Sequence, residues 1–180
     1  MVSVSVRRGI DGAGTRGAYV GCVVLCALAA AGVARAQTGA PGALHNFFND
    51  PFFQVSDRVK DCPLPAGPFI DESERLAQTH HRAEKGTTCW LSGACDRPNV
   101  YAYDADIAQA LQAAWARDPP RVTATLWVTV QGRVVYLEGC ADDAAAEPLL
   151  EAWARSLPFV QQAIAVLRTE PQARAPYRLR

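Results

Sequence analysis

Two adjacent imidazoles, His80 and His81, stand shortly ahead of two thiols, Cys89 and Cys95. As donor types these four make a zinc ligand set. Their spacing argues against it. Adjacent residues on a helix point in different directions, and the CWLSGAC segment is longer than the usual structural knuckle. Neither CxxC nor CxxCH occurs, which excludes a redox dithiol and c-type haem attachment. Asp104/Asp106 and Asp142-Asp143 are paired acids, but each pair falls where a helix N-cap is expected, and capping accounts for both. Ser73, Ser92 and Ser156 have no nearby base and no strained elbow. No glycine-rich phosphate loop follows a strand. The expectation is a chain with no catalytic residues, no cofactor and no metal, and therefore not an enzyme.

What the cysteines do depends on where the chain resides. Arg7, Arg8 and Arg16 precede a small-apolar run, YVGCVVLCALAAAGV from Tyr19, and Ala34-Arg35-Ala36 follows it. That order reads as a secretory signal peptide over 1–36, cleaved near Ala36/Gln37. The apolar run is too short for a comfortable membrane span, so the mature chain is expected to have none. The expected location is periplasmic or secreted. Cys22 and Cys26 leave with the signal, while Cys62, Cys89, Cys95 and Cys140 remain. In an oxidising compartment they are expected to form two disulfides, in any of three pairings. Cleavage takes Arg7, Arg8, Arg16 and Arg35 from 18 basic residues, leaving 14, and Asp11 from 18 acidic ones, leaving 17. The mildly acidic remainder is not a nucleic-acid binder by bulk charge.

The elements that must position these groups are legible in the hydrophobic pattern. Val122 to Val130 alternates apolar and polar, turns at Gln131-Gly132, and continues through Val134 to Leu137. This predicts a β-hairpin with one buried face. Before it, Asp104 can cap a helix with Ile107, Ala108, Leu111, Ala114 and Trp115 inward, ended by Asp118-Pro119-Pro120. After it, Asp142 or Asp143 opens a helix whose regular part starts near Glu147, with Leu149, Ala152 and Trp153 inward. Val160 to Leu167 reads as a third strand. The predicted fold is α+β, a small two-layer sandwich in the order helix, strand, strand, helix, strand over 104–168.

Upstream, 37–103 reads as a loop-rich, disulfide-linked extension with one helix. Asp71 and Glu74 have capping-box spacing, Gly86 is a natural stop, and the apolar stripe of Leu76, Ala77, His80 and Ala83 is thin. This helix is expected to be mostly solvated. Residues 37–61 look loop-like, and CWLSGAC reads as a tight loop.

The segment 104–168 resembles the BON domain, a small periplasmic module. The matching residues are Asp106-Ile107 and Ala110-Leu111 in the first helix, then Val128, Val130, Gly132, Val134, Leu137 and Gly139 in the hairpin. Leu149 and Ala152 match in the second helix, and Val160, Ala163 and Val166 in the last strand. Three positions depart from the family pattern. Gly132 and Gly139 are one residue further apart than usual, which predicts a longer turn or a bulge. Phe159 stands where glycine is common, and Cys140 replaces a plain residue. The resemblance implies the fold and an envelope location, and less firmly an interaction with phospholipid or an envelope protein. Each glycine also has a structural reading: Gly132 permits a positive φ in the turn, and Gly139 marks a bulge or close approach by a helix.

Two interaction classes are therefore expected. One is an envelope interaction module, associated with a phospholipid surface. The other is an assembly module of an envelope or secretion complex. Eight acids against five bases over 104–168 repel anionic headgroups. Membrane contact would fall to Phe47, Phe48, Phe52 and Phe53 and to the basic tail, 169–180, with Arg174, Arg178 and Arg180. The alternatives are packing of the phenylalanines onto the domain and a solvated tail. Trp127 is expected on the sheet face away from the helices, covered by the cysteine-containing segment or by a partner.

Overall fold

Residues 42–180, which the computed structural model describes, run β1 (Phe52–Asp57), α1 (Glu72–Leu91), a 3-10 turn (Val100–Tyr103), α2 (Asp104–Arg117), β2 (Ala124–Gln131), β3 (Val134–Ala141), α3 (Ala146–Arg155) and β4 (Gln162–Arg168). The signal segment expected over 1–36, with its cleavage point, lies outside the described residues. The strands form one sheet ordered β1-β2-β3-β4, antiparallel except for the parallel pair β3 and β4. The fold is α+β, and 104–168 has the order helix, strand, strand, helix, strand.

The alternation in the hairpin places two different surfaces back to back. Ala124, Leu126, Val128 and Val130 of β2 join Val135, Leu137 and Ala141 of β3 under α2 and α3. Ile107, Leu111, Leu126, Val128 and Leu137 are each fully buried in this one cluster. Burying each large aliphatic side chain stabilises by about 1.5–3 kcal/mol, and this is the main cohesive term of the sandwich. Trp115 of α2 and Trp153 of α3 meet edge to face with centroids 5.3 Å apart, locking the two helices together.

The hairpin turn is tighter than its glycine spacing suggests. β2 and β3 pair without a break, and Gly132-Arg133 makes a two-residue turn with φ of 59° and 67°. Two positive φ values match the twist of antiparallel strands, so no longer turn or bulge is needed. Gly139 does mark a close approach, but by a strand rather than a helix. Its φ is 152°, and a Cβ there would lie 2.0 Å from the Thr125 carbonyl oxygen.

Asp104 does not cap α2. Tyr103 precedes the helix without a side-chain cap, and the buried Asp104 carboxylate instead accepts the Gly132 and Arg133 N–H groups at 2.6 and 2.8 Å. It ties the start of the helix to the hairpin turn. Burial pushes its pKa up, even though both backbone N–H bonds pull the other way. Asp143 accepts from Ala145 N in the turn before α3. That helix begins at Ala146, with Pro148 at its third position, where no intrahelical N–H bond is forfeited. Its phase also differs from the expected one. Ala146, Leu150 and Ala154 are buried, whereas Leu149 is 55% exposed and Ala152 faces solvent. Trp153 packs against the core as expected, so the inward stripe is Ala146, Leu150, Trp153 and Ala154.

The extension adds a strand. Phe52 to Asp57, expected in a loop, forms β1 along the free edge of β2, with a register shift between Gln54 and Ser56. An irregular, short edge strand discourages pairing with another chain. Helix α1 carries the expected capping box at Asp71 and Glu74. It does not stop at Gly86. That residue is buried beside the Asn99 side chain, and the helix runs to Leu91, so Cys89 lies in its last turn rather than in a loop. The four cysteines among the described residues are paired, Cys62 with Cys140 and Cys89 with Cys95. Residues 42–180 belong to one compact unit.

Candidate functional site

The sheet face away from α2 and α3 carries Thr125, Trp127, Thr129 and Gln131 of β2 opposite Cys140, Glu138, Tyr136 and Val134 of β3. Thr125, Thr129 and Cys140 are buried, so this face is covered. The chain itself covers it. Cys62 is bonded to Cys140, Val59 N donates to Thr125 Oγ1 at 2.8 Å, and the tail lies alongside. Tyr177 is buried. Its hydroxyl donates to Pro63 O at 2.9 Å and sits 3.6 Å from Cys62 Sγ and 3.7 Å from Cys140 Sγ.

The cover leaves a partly open cleft of about 200 Å3. Its floor is Thr129, Gln131, Tyr136 and Glu138 from the sheet. Its walls come from Gly67-Pro68 and Ile70, from Gln78 on α1, and from Arg178 in the tail. The Thr129 hydroxyl is buried with no hydrogen-bond partner among the described residues. Arg178 is fully engaged: it donates to both Glu74 carboxylate oxygens at 2.6 and 2.8 Å and to Phe69 O at 2.6 Å.

Burial pushes the Glu138 carboxyl above its ordinary range, opposed by nearby Arg178. Burial also raises the Tyr136 hydroxyl, with Glu138 and Asp50 adding to the shift. A carboxyl whose native pKa is raised holds its proton more tightly folded than unfolded. Its favourable contribution is complete below the ordinary value of 4.5 and is lost as pH rises through the native value. Glu138→Gln is therefore expected to become more stable than the wild type as pH climbs from 4 to 8, read from urea midpoints. A stability difference independent of pH would contradict this.

Several residues offered as possible partner contacts are used internally, the phenylalanines in the packing that was the alternative. Phe47, Phe48, Phe52 and Phe53 are half-buried. Phe47 lies under Arg75 and Phe48 under Arg82. Phe52 meets Phe69 edge to face, and Phe53 packs on the core. The tail is mostly exposed but not free. Arg178 O accepts from Ala66 N, Arg180 N donates to Leu64 O, and the Arg180 guanidinium lies 3.8 Å from the Phe69 ring centroid. Arg174 remains exposed. Trp127 is half-buried on the covered face, between Gln54 and Glu138. Gly132 and Gly139 serve the backbone as described above. His80 and His81 are exposed, with His80 Nε2 3.2 Å from Glu84, and the four cysteine sulfurs are consumed by disulfides. Among the described residues no group of three or more His, Cys, Asp or Glu is placed to hold a metal ion.

Thr129 and Tyr136 fall on the outward sheet face that the alternation predicts beside Trp127, whereas Glu138 and Gln78 were not singled out. One signal was present: Glu138 interrupts an apolar strand at an outward position directly opposite Trp127. The reading also missed the outer side of α1. That helix packs by its polar side, through Glu74, Arg75, Gln78, Arg82 and Lys85. Its apolar residues face solvent, with Leu76 61%, Trp90 48% and Leu91 79% exposed. No helix among the described residues is long and apolar enough to cross a membrane.

No protein-family model matches the chain, and neither a curated protein nor a solved structure matches it.

Proposed function

We propose that the chain is a non-enzymatic, BON-like interaction module of the cell envelope, exported and then associated with a phospholipid surface. The order of elements over 104–168 and the glycine-bearing hairpin support the resemblance. The two disulfides support an oxidising location.

One observation carries the surface reading. Helix α1 turns Leu76, Ala83, Trp90 and Leu91 to solvent, a stripe with near-heptad spacing. The Cys89–Cys95 bridge pins the end of that stripe. A tryptophan beside a leucine at a fixed helix end suits the headgroup boundary, where an apolar body and a polar N–H are both satisfied. The stripe is sparse, and the acidic balance supplies no polybasic attraction, so apolar insertion must drive the contact. Edge-to-edge assembly is disfavoured at β4. There the Glu151 and Glu147 carboxylates accept the outward Ala165 and Leu167 N–H groups at 3.0 and 2.8 Å.

The exported, oxidised protein is expected to co-sediment with phosphatidylcholine vesicles as well as with anionic ones. Leu76→Ser with Leu91→Ser should weaken this at least about tenfold without unfolding the chain. Absence of co-sedimentation, together with concentration-dependent oligomers in light scattering, would replace this reading with the assembly one.

A further inference from the structure

The covered sheet face holds a group whose partner is missing. Glu138 makes no hydrogen bond and no ion pair among the described residues. It nevertheless lines a cleft that is partly withdrawn from water. The other charges around the cleft are compensated in place: Arg178 by Glu74, and Arg82 by Asp50. Glu138 is therefore the carboxylate lining the cleft with no bonded partner, and its neighbour Arg178 is already engaged by Glu74. Beside it, Thr129 is 7% exposed and its hydroxyl has no partner. A buried polar group left unpaired costs free energy, and no protein group among the described residues supplies the partner here. Thr129 and Tyr136 are register partners, and Glu138 is two residues along the same face of β3. All three line the same cleft, so one small ligand bound there meets the patch they form.

We propose that this cleft binds a small primary ammonium compound, its N–H groups donating to the Glu138 carboxylate and to the Thr129 and Tyr136 hydroxyls. The charge matches the single carboxylate, and three N–H donors match one carboxylate and two hydroxyl acceptors. A hard metal cation would need more oxygen ligands than one carboxylate and two hydroxyls supply. A quaternary ammonium has no N–H to satisfy Thr129, and Tyr136 is the single aromatic ring lining the cleft, so no aromatic cage surrounds it. A cavity of about 200 Å3 lies below the usual range of drug-sized sites, about 300–1,000 Å3, and so limits the ligand to a few heavy atoms beyond the nitrogen. The same chemistry occurs in free alkylamines and in an ethanolamine headgroup. The inference does not depend on the vesicle reading. The cleft borders the inner side of α1 through Gln78, whereas the apolar stripe lies on the outer side.

The test is a two-dimensional amide NMR titration of the exported, oxidised protein. Ethylammonium is the probe, with tetramethylammonium and acetate as controls. Ethylammonium is expected to shift the amides of Thr129, Tyr136 and Glu138, and the controls are not. Glu138→Gln should weaken binding about tenfold or more, because a charge-assisted bond becomes a neutral one. Thr129→Val keeps the side-chain shape and should weaken binding about fivefold while the unfolding transition stays normal. Glycerophosphoethanolamine distinguishes the sources: tighter binding than ethylammonium assigns the headgroup, and weaker binding assigns a free amine. Three results would each overturn the proposal. These are no ethylammonium-dependent shift, equal binding of tetramethylammonium, or unchanged affinity in Glu138→Gln.

Discussion

Replacing Arg82 by alanine is expected to lower the unfolding free energy by about 3–5 kcal/mol, visible as a large fall in the urea midpoint of the oxidised protein. Its guanidinium meets Asp50 through two bonds of 2.6 and 2.9 Å, and the side chains are 10% and 4% exposed. Gln131 of β2 donates to the same carboxylate at 2.8 Å. Above and below, the guanidinium lies 4.1 Å from the Phe48 ring centroid and 4.0 Å from that of Tyr101. Three other pieces of chain, around Phe48–Asp50, Tyr101 and Gln131, therefore meet α1 at this ion pair. Truncation would leave Asp50 charged and buried with an amide as its remaining side-chain partner, and the loss comes mainly from that stranded charge. Arg82→Lys keeps the charge but not the two-point geometry, so its cost should fall between the wild type and alanine. Asp50→Asn combined with Arg82→Met should recover part of the loss. If alanine cost under about 1 kcal/mol, the pair would be behaving as a solvated surface bridge.

Removing the Cys62–Cys140 bridge by a double serine substitution is expected to cost about 4 kcal/mol. Removing Cys89–Cys95 should cost about 2 kcal/mol. The difference follows from loop length. The first bridge spans 78 residues and the second spans 6, and a longer closed loop removes more freedom from the unfolded chain. The long bridge also joins the extension to the sheet, under the buried Tyr177. Its loss should loosen the tail as well, seen as faster hydrogen exchange at Ala66 and Arg180, whose N–H groups bond across the tail contact. Thermal or urea unfolding of the two double variants measures the order. A larger loss from the short bridge would show that strain or residual structure, rather than loop closure, controls the outcome.

How far a feature could be read in advance depended on how local its cause was. The hairpin at 124–141 and helix α2 were legible because their patterns are complete within a few residues of each other. The capping box at Asp71 and Glu74 was legible for the same reason. The end of α1 was not, because Gly86 lies inside the helix, packed beside Asn99 of the following segment. The phase of α3 was misread because two arrangements of its apolar residues were equally good locally, and contact with the sheet chose between them. The Arg82–Asp50 pair, 32 residues apart, left no local signal at all.

By itself the amino-acid order determined the class of fold, the buried side of each hairpin strand, and the pairing of the cysteines with one another in some arrangement. These follow from short-range periodicity and from residue chemistry. Only the folded chain decided which cysteines join, that residues 52–57 extend the sheet, and that the segment around Val59–Cys62 and the arginine-bearing tail cover its second face. The same closure creates the cleft at Glu138 and leaves the apolar side of α1 outward. Such outcomes depend on competition among distant segments for one limited surface, and no window of neighbouring residues records who wins it.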